Sequence, residues 1–371
     1  MPFVILRPMS HLEYFPQDFR SGRAAFRAAA EKAGATLATY EAGSTGPDGE
    51  PVATDVALLG REDAPHVLLC NSATHGVEGF SGSGVLTGFL DSGEAANLPD
   101  NVRLVFIHAL NCHGFAWLRR VTEENVDLNR NFVDHTKPHP KNAEYTKLHP
   151  VVVPDSWDEK SVASSKEKLE RYVTKHSQYK LQSVLTGGQY DHPDGIFFGG
   201  REPTGAHKRF MEIVENHVAG AGHVLFLDWH TGLGAYGAAE LLGMTRPGSA
   251  HGDRVSTWFR NGLSTPAEGQ SLSAPTSGTI GSGLRRRFAD TETEITSLTV
   301  EFGTYSVREV LMALIADNWL HARGEPDSDL GRMIKAEVRK ALYPDEDDWK
   351  ELVWVRGRQI LRRGVKGLAG L

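Results

Sequence analysis

Apolar and polar positions follow two different periods along this chain, and each change of period marks an element. Residues 18–34 set Phe19, Ala24, Phe26, Ala29 and Ala30 on a partly apolar face and end at Gly34, which predicts a helix. Residues 36–41 and 52–59 read as strands, and the stretch Gly43 to Pro51 between them has the Gly, Pro, Asp and Ser content of a turn. His66-Val67-Leu68-Leu69-Cys70 is a continuous apolar run, the pattern of a strand buried on both faces. Three more such strands are expected at Val102 to Ile107, Val224 to Leu227 and Ile295 to Val300. A helix is expected near residues 84–92, after the Gly-rich residues 79–84.

Between residues 134 and 200 the pattern breaks. Residues 134–155 carry many Pro, His and Lys and few apolar positions, which predicts an irregular surface excursion. Residues 157–181 read as a strongly charged helix, and residues 186–200 as a Gly-rich loop with embedded aromatics, long enough to be a lid or a binding loop. Residues 306–322 and 329–363 predict two or three helices, with Leu311, Leu314, Ile315 and Trp319 packed on the sheet. No internal repeat and no low-complexity linker divides the chain. The expectation is one catalytic domain over residues 1–371, with an insertion at about 134–200 and C-terminal helices at about 306–371.

Composition narrows the classes. The 371 residues are 40% hydrophobic and 23% charged, with a formal net charge of −7, which is ordinary for a globular enzyme. A nucleic-acid partner would need a basic face, and none is indicated. Cys70 and Cys112 lie in or just after apolar runs and read as buried thiols. Met1 to Phe19 has no apolar core behind a basic stretch, and no run reaches the length of a membrane span, so a cytoplasmic protein without membrane contact is the expectation.

The candidate chemistry sits just past the predicted strands. Thr74-His75-Gly76-Val77-Glu78-Gly79 holds an imidazole and a carboxylate at a spacing of three on a tight turn, and both are good zinc ligands. Gly76 allows a close backbone approach there. Asp228-Trp229-His230-Thr231-Gly232 ends a strand with a second imidazole. His75, Glu78 and His230 together make a His₂Glu set, which leaves a fourth zinc position for water. Asp228 can accept a hydrogen bond from a ligating imidazole, or simply cap the strand. In Asp127-Leu128-Asn129-Arg130-Asn131-Phe132, Arg130 can grip a carboxylate in bidentate fashion beside the Asn129 amide, or form an internal pair with Asp127. One of Arg119 and Arg120 can stabilise an oxyanion, the other being a surface charge. Glu301 follows the strand in Thr299-Val300-Glu301-Phe302-Gly303, and a carboxylate there needs a task or a partner. Activating a zinc-bound water is such a task; an ion pair with one of Arg285 to Arg287 is the alternative.

The order His-x-x-Glu, Asn-Arg, strand-end His, strand-end Glu resembles the zinc carboxypeptidase family and its relatives, the aspartoacylase and succinylglutamate desuccinylase group. The resemblance spans roughly residues 50–320. It implies an α/β fold with a mixed, largely parallel eight-stranded twisted sheet sandwiched by helices. It implies one Zn²⁺ on His75, Glu78 and His230, a carboxylate clamp of Asn129 and Arg130, Glu301 as general base and Arg120 on the scissile carbonyl. The mobile tyrosine of many carboxypeptidases has no counterpart in the stretch Ser271 to Gly283; Tyr190, Tyr236 and Tyr305 are the substitutes. Residues 186–200, with Tyr190 and His192 in Gly187 to Gly195, are expected to form part of the substrate pocket, a plain surface loop being the alternative.

The function expected is zinc-dependent hydrolysis of an amide bond next to a carboxylate, in a small peptide. A deacylase of small N-acyl amino acids is the alternative enzyme, and a non-catalytic zinc or ligand-binding module the alternative class. A Ser-His-Asp esterase is disfavoured, because Gly82-Ser83-Gly84 reads as a helix start rather than a nucleophile elbow. The donor set alone does not fix which metal binds.

Overall fold

The structure is a computed structural model that describes residues 10–243, 248–260, 263–264 and 276–371. Eight strands are described: β1 (Thr36–Thr45), β2 (Pro51–Leu59), β3 (His66–Asn71), β4 (Val102–His108), β5 (His223–Tyr236), β6 (Ala239–Gly243), β7 (Leu263–Ser264) and β8 (Glu294–Gly303). They form one mixed sheet in the order β1-β2-β4-β3-β5-β8-β6-β7. The centre, β4-β3-β5-β8, is parallel, while β1, β2 and β6 join antiparallel to their inner neighbours. The parallel centre explains the unbroken apolar runs. Every residue of β3 is buried. On β5, Leu225, Leu227 and Trp229 enter one core and Val224 and Phe226 the other, so both faces of the strand are covered.

The strand order reverses at β3, which has β4 on one side and β5 on the other. Ligands bind beyond the carboxyl ends of strands at such a switch point. His75 follows β3, and His230 and Glu301 pair in register on β5 and β8 at the same edge of the sheet.

Several elements depart from the sequence reading. β5 runs to Tyr236 rather than stopping near Leu227, because β8 pairs with it as far as Gly303 across a register shift. His230 is therefore held inside a strand. The helix Gly79–Asp91 begins five residues early. All its residues from Gly79 to Leu90 are buried, so it shows no amphipathic period to read. Ser83 lies within this helix, with its Oγ 2.8 Å from His108 Nε2. Both residues are 0% exposed, which leaves no reachable nucleophile. Cys70 and Cys112 are buried free thiols, as expected.

The segment 134–155 is not irregular throughout. It contains the helix Ala143–Val152, capped by Asn142 Oδ1 accepting from Tyr145 N–H at 3.0 Å. Tyr145, Leu148 and Val152 form its buried stripe, diluted in sequence by His149 and Pro150. The charged stretch that follows makes two helices, Glu159–His176 and Gln178–Thr186, broken at Ser177. Three helices close the chain, Val307–Arg323, Asp329–Leu342 and Asp347–Ala369. Leu311, Leu314 and Ile315 do not pack chiefly on the sheet. They join Tyr145, Leu148, Leu181 and Leu185 in a satellite core, so the insertion has a partner for its own apolar stripe. Trp319 packs beside Leu320, Ile334 and Trp157. No helix among the described residues is long and apolar enough to cross a membrane.

Candidate metal centre

The turn after β3 is built by close backbone contact. Ala73 has a left-handed backbone (φ 59°), and Asn111 N–H donates to its carbonyl at 2.9 Å. A Cβ on Gly76 would overlap the Gly114 carbonyl carbon and the Phe115 nitrogen. Only glycine fits there, as its position between the two candidate ligands suggested. The short helical turn Gly76–Glu78 then points His75 and Glu78 to one side.

His75, Glu78 and His230 converge, all buried. His75 Nδ1 lies 3.0 Å from Glu78 Oε1 and 3.0 Å from His230 Nδ1, which lies 3.1 Å from Glu78 Oε2. Behind each imidazole stands a carboxylate. Asp127 Oδ1 is 3.1 Å from His75 Nε2, and Asp228 Oδ2 is 2.7 Å from His230 Nε2. When both rings are neutral, each Nε2 carries the proton, and the two Nδ1 lone pairs face one another and a carboxylate. That arrangement is repulsive alone and complementary to a cation. Tetrahedral zinc ligands at about 2.0–2.2 Å sit roughly 3.3–3.6 Å apart, so small adjustments suffice.

Charge balance favours a cation too. Four carboxylates, Glu78, Asp127, Asp228 and Glu301, are buried around the site and face two guanidinium groups, Arg120 and Arg130. Four minus two leaves two negative charges, and Arg285 along the same cleft reduces that surplus to one, so the balance favours an added cation. A buried uncompensated charge is costly, so this donor set fits a divalent cation. Burial works against ionisation of Glu78, but His75, His230 and Arg120 outweigh it and hold its carboxyl well below the usual range. Burial likewise opposes the His230 cation, yet Asp228 and Glu78 raise its pKa well above the ordinary value.

Glu301 lines the same cleft. Its Oε1 accepts the Leu233 N–H at 3.0 Å, which fixes the carboxylate's direction. Burial and the nearby Glu78 carboxylate raise its pKa from 4.5 to about 7. A base poised there suits proton transfer near neutrality. It pairs with none of Arg285 to Arg287, so the ion-pair alternative for Glu301 fails.

Of Arg119 and Arg120, Arg120 lines the cleft and Arg119 does not. Arg120 Nη1 donates to Glu78 Oε1 at 2.8 Å and its Nε to Asp127 Oδ2 at 3.1 Å. Arg119 is buried and turned away, with its Nη2 donating to Asn125 Oδ1 at 2.8 Å and Asp317 as its ion partner. It is not a surface charge.

Asn129 and Arg130 both line the cleft. Arg130 is not spent on an ion pair with Asp127. Its Nε and Nη2 donate to the Thr186 carbonyl at 2.9 and 2.6 Å, and Nη1 to the Asn129 carbonyl at 2.8 Å. Those bonds use three of five N–H donors and fix the plane of the guanidinium. Asn129 Oδ1 accepts Ile280 N–H at 2.9 Å, which leaves the amide NH₂ toward the cleft.

Tyr190 and His192 do not wall the pocket. The Tyr190 hydroxyl donates to the Arg130 carbonyl at 2.7 Å and the ring stacks on His139, behind the cleft. His192 stacks on His149. The loop reaches the cleft only at its ends, through Thr186 and Phe197. Turns closed by Gln189 and the pairing of Gln189 with Phe198 direct the middle of the loop outward. Tyr236 is 38% exposed and bonds Asp348, and neither it nor Tyr305 lines the cleft. Residues 271–275 of the stretch Ser271 to Gly283 lie outside the described residues.

Two contributors escaped the sequence reading. Asp127 binds His75 and Arg120 at once, and those two groups with Arg130 hold its carboxyl well below the usual range despite burial. The Asp-x-Asn-Arg spacing was the available signal, since the same carboxylate caps the Asn129 N–H at 3.0 Å. Phe197 places its ring under both guanidinium groups, 5.0 Å from Arg120 and 5.7 Å from Arg130.

No curated protein matches the sequence. Solved structures similar to it include metallocarboxypeptidases and an amidase. Carboxypeptidase A from Helicoverpa armigera is 13% identical, with 90% of this chain and 75% of that one covered and a TM-score of 0.45. The metallo-carboxypeptidase from Burkholderia cenocepacia is 14% identical, with 92% and 70% covered and a TM-score of 0.42. The murein-tripeptide amidase MpaA from Escherichia coli O157 is 16% identical, with 87% and 98% covered and a TM-score of 0.37. These are loose likenesses of overall layout, and the chemistry of the cleft comes from this chain's own side chains. At the level of sequence family the match is direct: over residues 15–356 the chain belongs to the family described as protein of unknown function DUF2817.

Proposed function

We propose that this chain is a zinc-dependent hydrolase that cleaves an amide bond next to a carboxylate. One observation carries the reading. Three buried ligand groups converge with a carboxylate behind each imidazole, and a fourth carboxylate poised near neutrality shares their cleft. When bound, zinc supplies Lewis acidity and an acidified water. Glu301 takes the proton of the attacking water at the oxygen not held by Leu233 N–H and returns it to the leaving nitrogen. Arg130 and Asn129 hold the substrate carboxylate. Arg120 keeps Glu78 and Asp127 in place and offers its remaining N–H groups to the developing oxyanion.

A second reading, deacylation of small N-acyl amino acids, is favoured by the walls of the cleft. Gln182, Thr186 and Phe197 from the insertion and Val307, Val310 and Leu314 from the helix Val307–Arg323 stand around it, which suits a short substrate. The test is a ladder of N-acetyl amino acids, dipeptides and longer peptides given to zinc-loaded protein before and after chelation. Zinc-dependent cleavage of any member supports the hydrolase, and the shortest good substrate separates the two readings. No cleavage anywhere on the ladder rejects both.

A further inference from the structure

The cleft holds a cation that the reaction above does not use. Arg285 lies in the helix Ile280–Arg287 and lines the cleft with Thr279, Ser297 and Thr299. Its Nη1 atom is buried and has no hydrogen-bond partner among the described residues. The two arginines after it are accounted for. Arg286 Nη2 donates to the Phe132 carbonyl at 2.9 Å, and Arg287 Nη2 to Glu215 Oε2 at 2.8 Å. Burial lowers the pKa of the Arg285 guanidinium, and no neighbouring carboxylate acts against it. A guanidinium so placed costs free energy in the free protein. An anion entering beside it would offset that cost.

The wall around Arg285 is polar and kept open. Ser297, Thr299 and Glu301 all line the cleft, as alternate residues of one strand share a face. Four residues along β8 correspond to ~13 Å, so the polar strip runs well inward from Glu301. A Cβ on Gly281 would overlap Ser297 Oγ and stand 3.7 Å from Arg285 Nη1, closing this end. One guanidinium with neutral hydroxyls matches a single carboxylate. A phosphate dianion would remain half-compensated.

The geometry points to a second anion position in the cleft: Arg285, flanked by Ser297, Thr299 and Thr279, takes a side-chain carboxylate of a substrate whose main-chain carboxylate is held by Asn129 and Arg130. The substrate class is then an amide of an acidic amino acid of glutamate length or longer, with the acidic residue as the leaving amine. This rests on the hydrolase reading of the same cleft and goes one step beyond it.

Binding and turnover test the two separately. Zinc-loaded Glu301→Gln protein is titrated with N-acetyl-alanyl dipeptides ending in Glu, Gln, Leu or Lys. The Glu peptide should bind roughly 10–100-fold more tightly than the Gln peptide, the worth of a buried charge-assisted hydrogen bond. A further Arg285→Met change should erase that ratio, while Arg285→Lys should keep part of it. Equal affinity for the Glu and Gln peptides, or no binding of either, overturns the proposal without reference to any Arg285 variant. Turnover of the same peptides by zinc-loaded wild type tests the hydrolase. Glu-selective binding without cleavage rejects the hydrolase and keeps the anion position; cleavage indifferent to Glu or Gln does the reverse.

Discussion

Among the described residues, two clusters each bring two imidazoles and a carboxylate within reach of a single ion. One is His75, Glu78 and His230; the other is His149, His192 and Asp194. Their difference lies behind the ligands. In the first, all three residues are buried, and Asp127 and Asp228 fix the outer nitrogens of the two rings. In the second, all three are half-buried and the two rings stack face to face, their centroids 4.2 Å apart. Asp194 there shares its charge with Arg323, and His149 Nδ1 has no hydrogen-bond partner among the described residues. Donors close together are common. Donors whose protonation and direction are set by a further shell make a metal site.

The largest effect that could break this comparison is on metal retention. His230→Ala should abolish stoichiometric zinc binding, because two protein donors do not make a catalytic site. His192→Ala should leave it unchanged. Metal analysis after dialysis decides. Next is Glu301→Gln, which keeps the shape and removes the proton acceptor. It should retain zinc while kcat falls by roughly 10²–10⁴. A kcat equal to wild type would assign the base elsewhere. Asp228→Asn and Asp127→Asn probe the shell directly. Each should weaken zinc affinity by roughly 10–100-fold, read by chelator competition. Unchanged affinity in both would remove the distinction drawn between the clusters.

How much of this was visible in the residues alone follows the same division. His75, Glu78, His230 and Glu301 each sit beside an apolar run, so strand ends could be placed and one edge of a parallel sheet inferred. Asp228 could be suspected because it precedes a ligand by two residues on one strand. Asp127, by contrast, meets His75 across 52 residues of sequence, and Phe197 meets Arg120 across a longer gap. No local period reports such contacts. Arg285 was indistinguishable from Arg286 and Arg287 until the helix face was known. Tyr190 misled because an aromatic in a Gly-rich loop suits a ligand wall and equally a brace behind one. The helix Ala143–Val152 was hidden for another reason: its stripe packs on the insertion's own partners, and Lys147, His149 and Pro150 interrupt it in sequence.

A smaller effect sharpens the role of Glu301 in protein without metal. Its pKa is raised from 4.5 to about 7, so between those values the folded state holds a proton that the unfolded state has released. Stability attributable to this group is therefore full below pH 4.5 and is lost as the pH rises through 7. Metal-free Glu301→Gln should exceed metal-free wild type in stability above pH 7 by on the order of 1–3 kcal/mol, and match it below pH 4.5. Denaturant melts at the two pH values would show it. A gap of equal size at both would mean that the carboxyl is not raised.

The most direct test of the account is zinc stoichiometry measured across four proteins prepared alike. One zinc per chain is expected in wild type, in Glu301→Gln and in His192→Ala, and none in His230→Ala. Zinc kept by His230→Ala and lost from His192→Ala would place the metal in the other cluster and contradict the account.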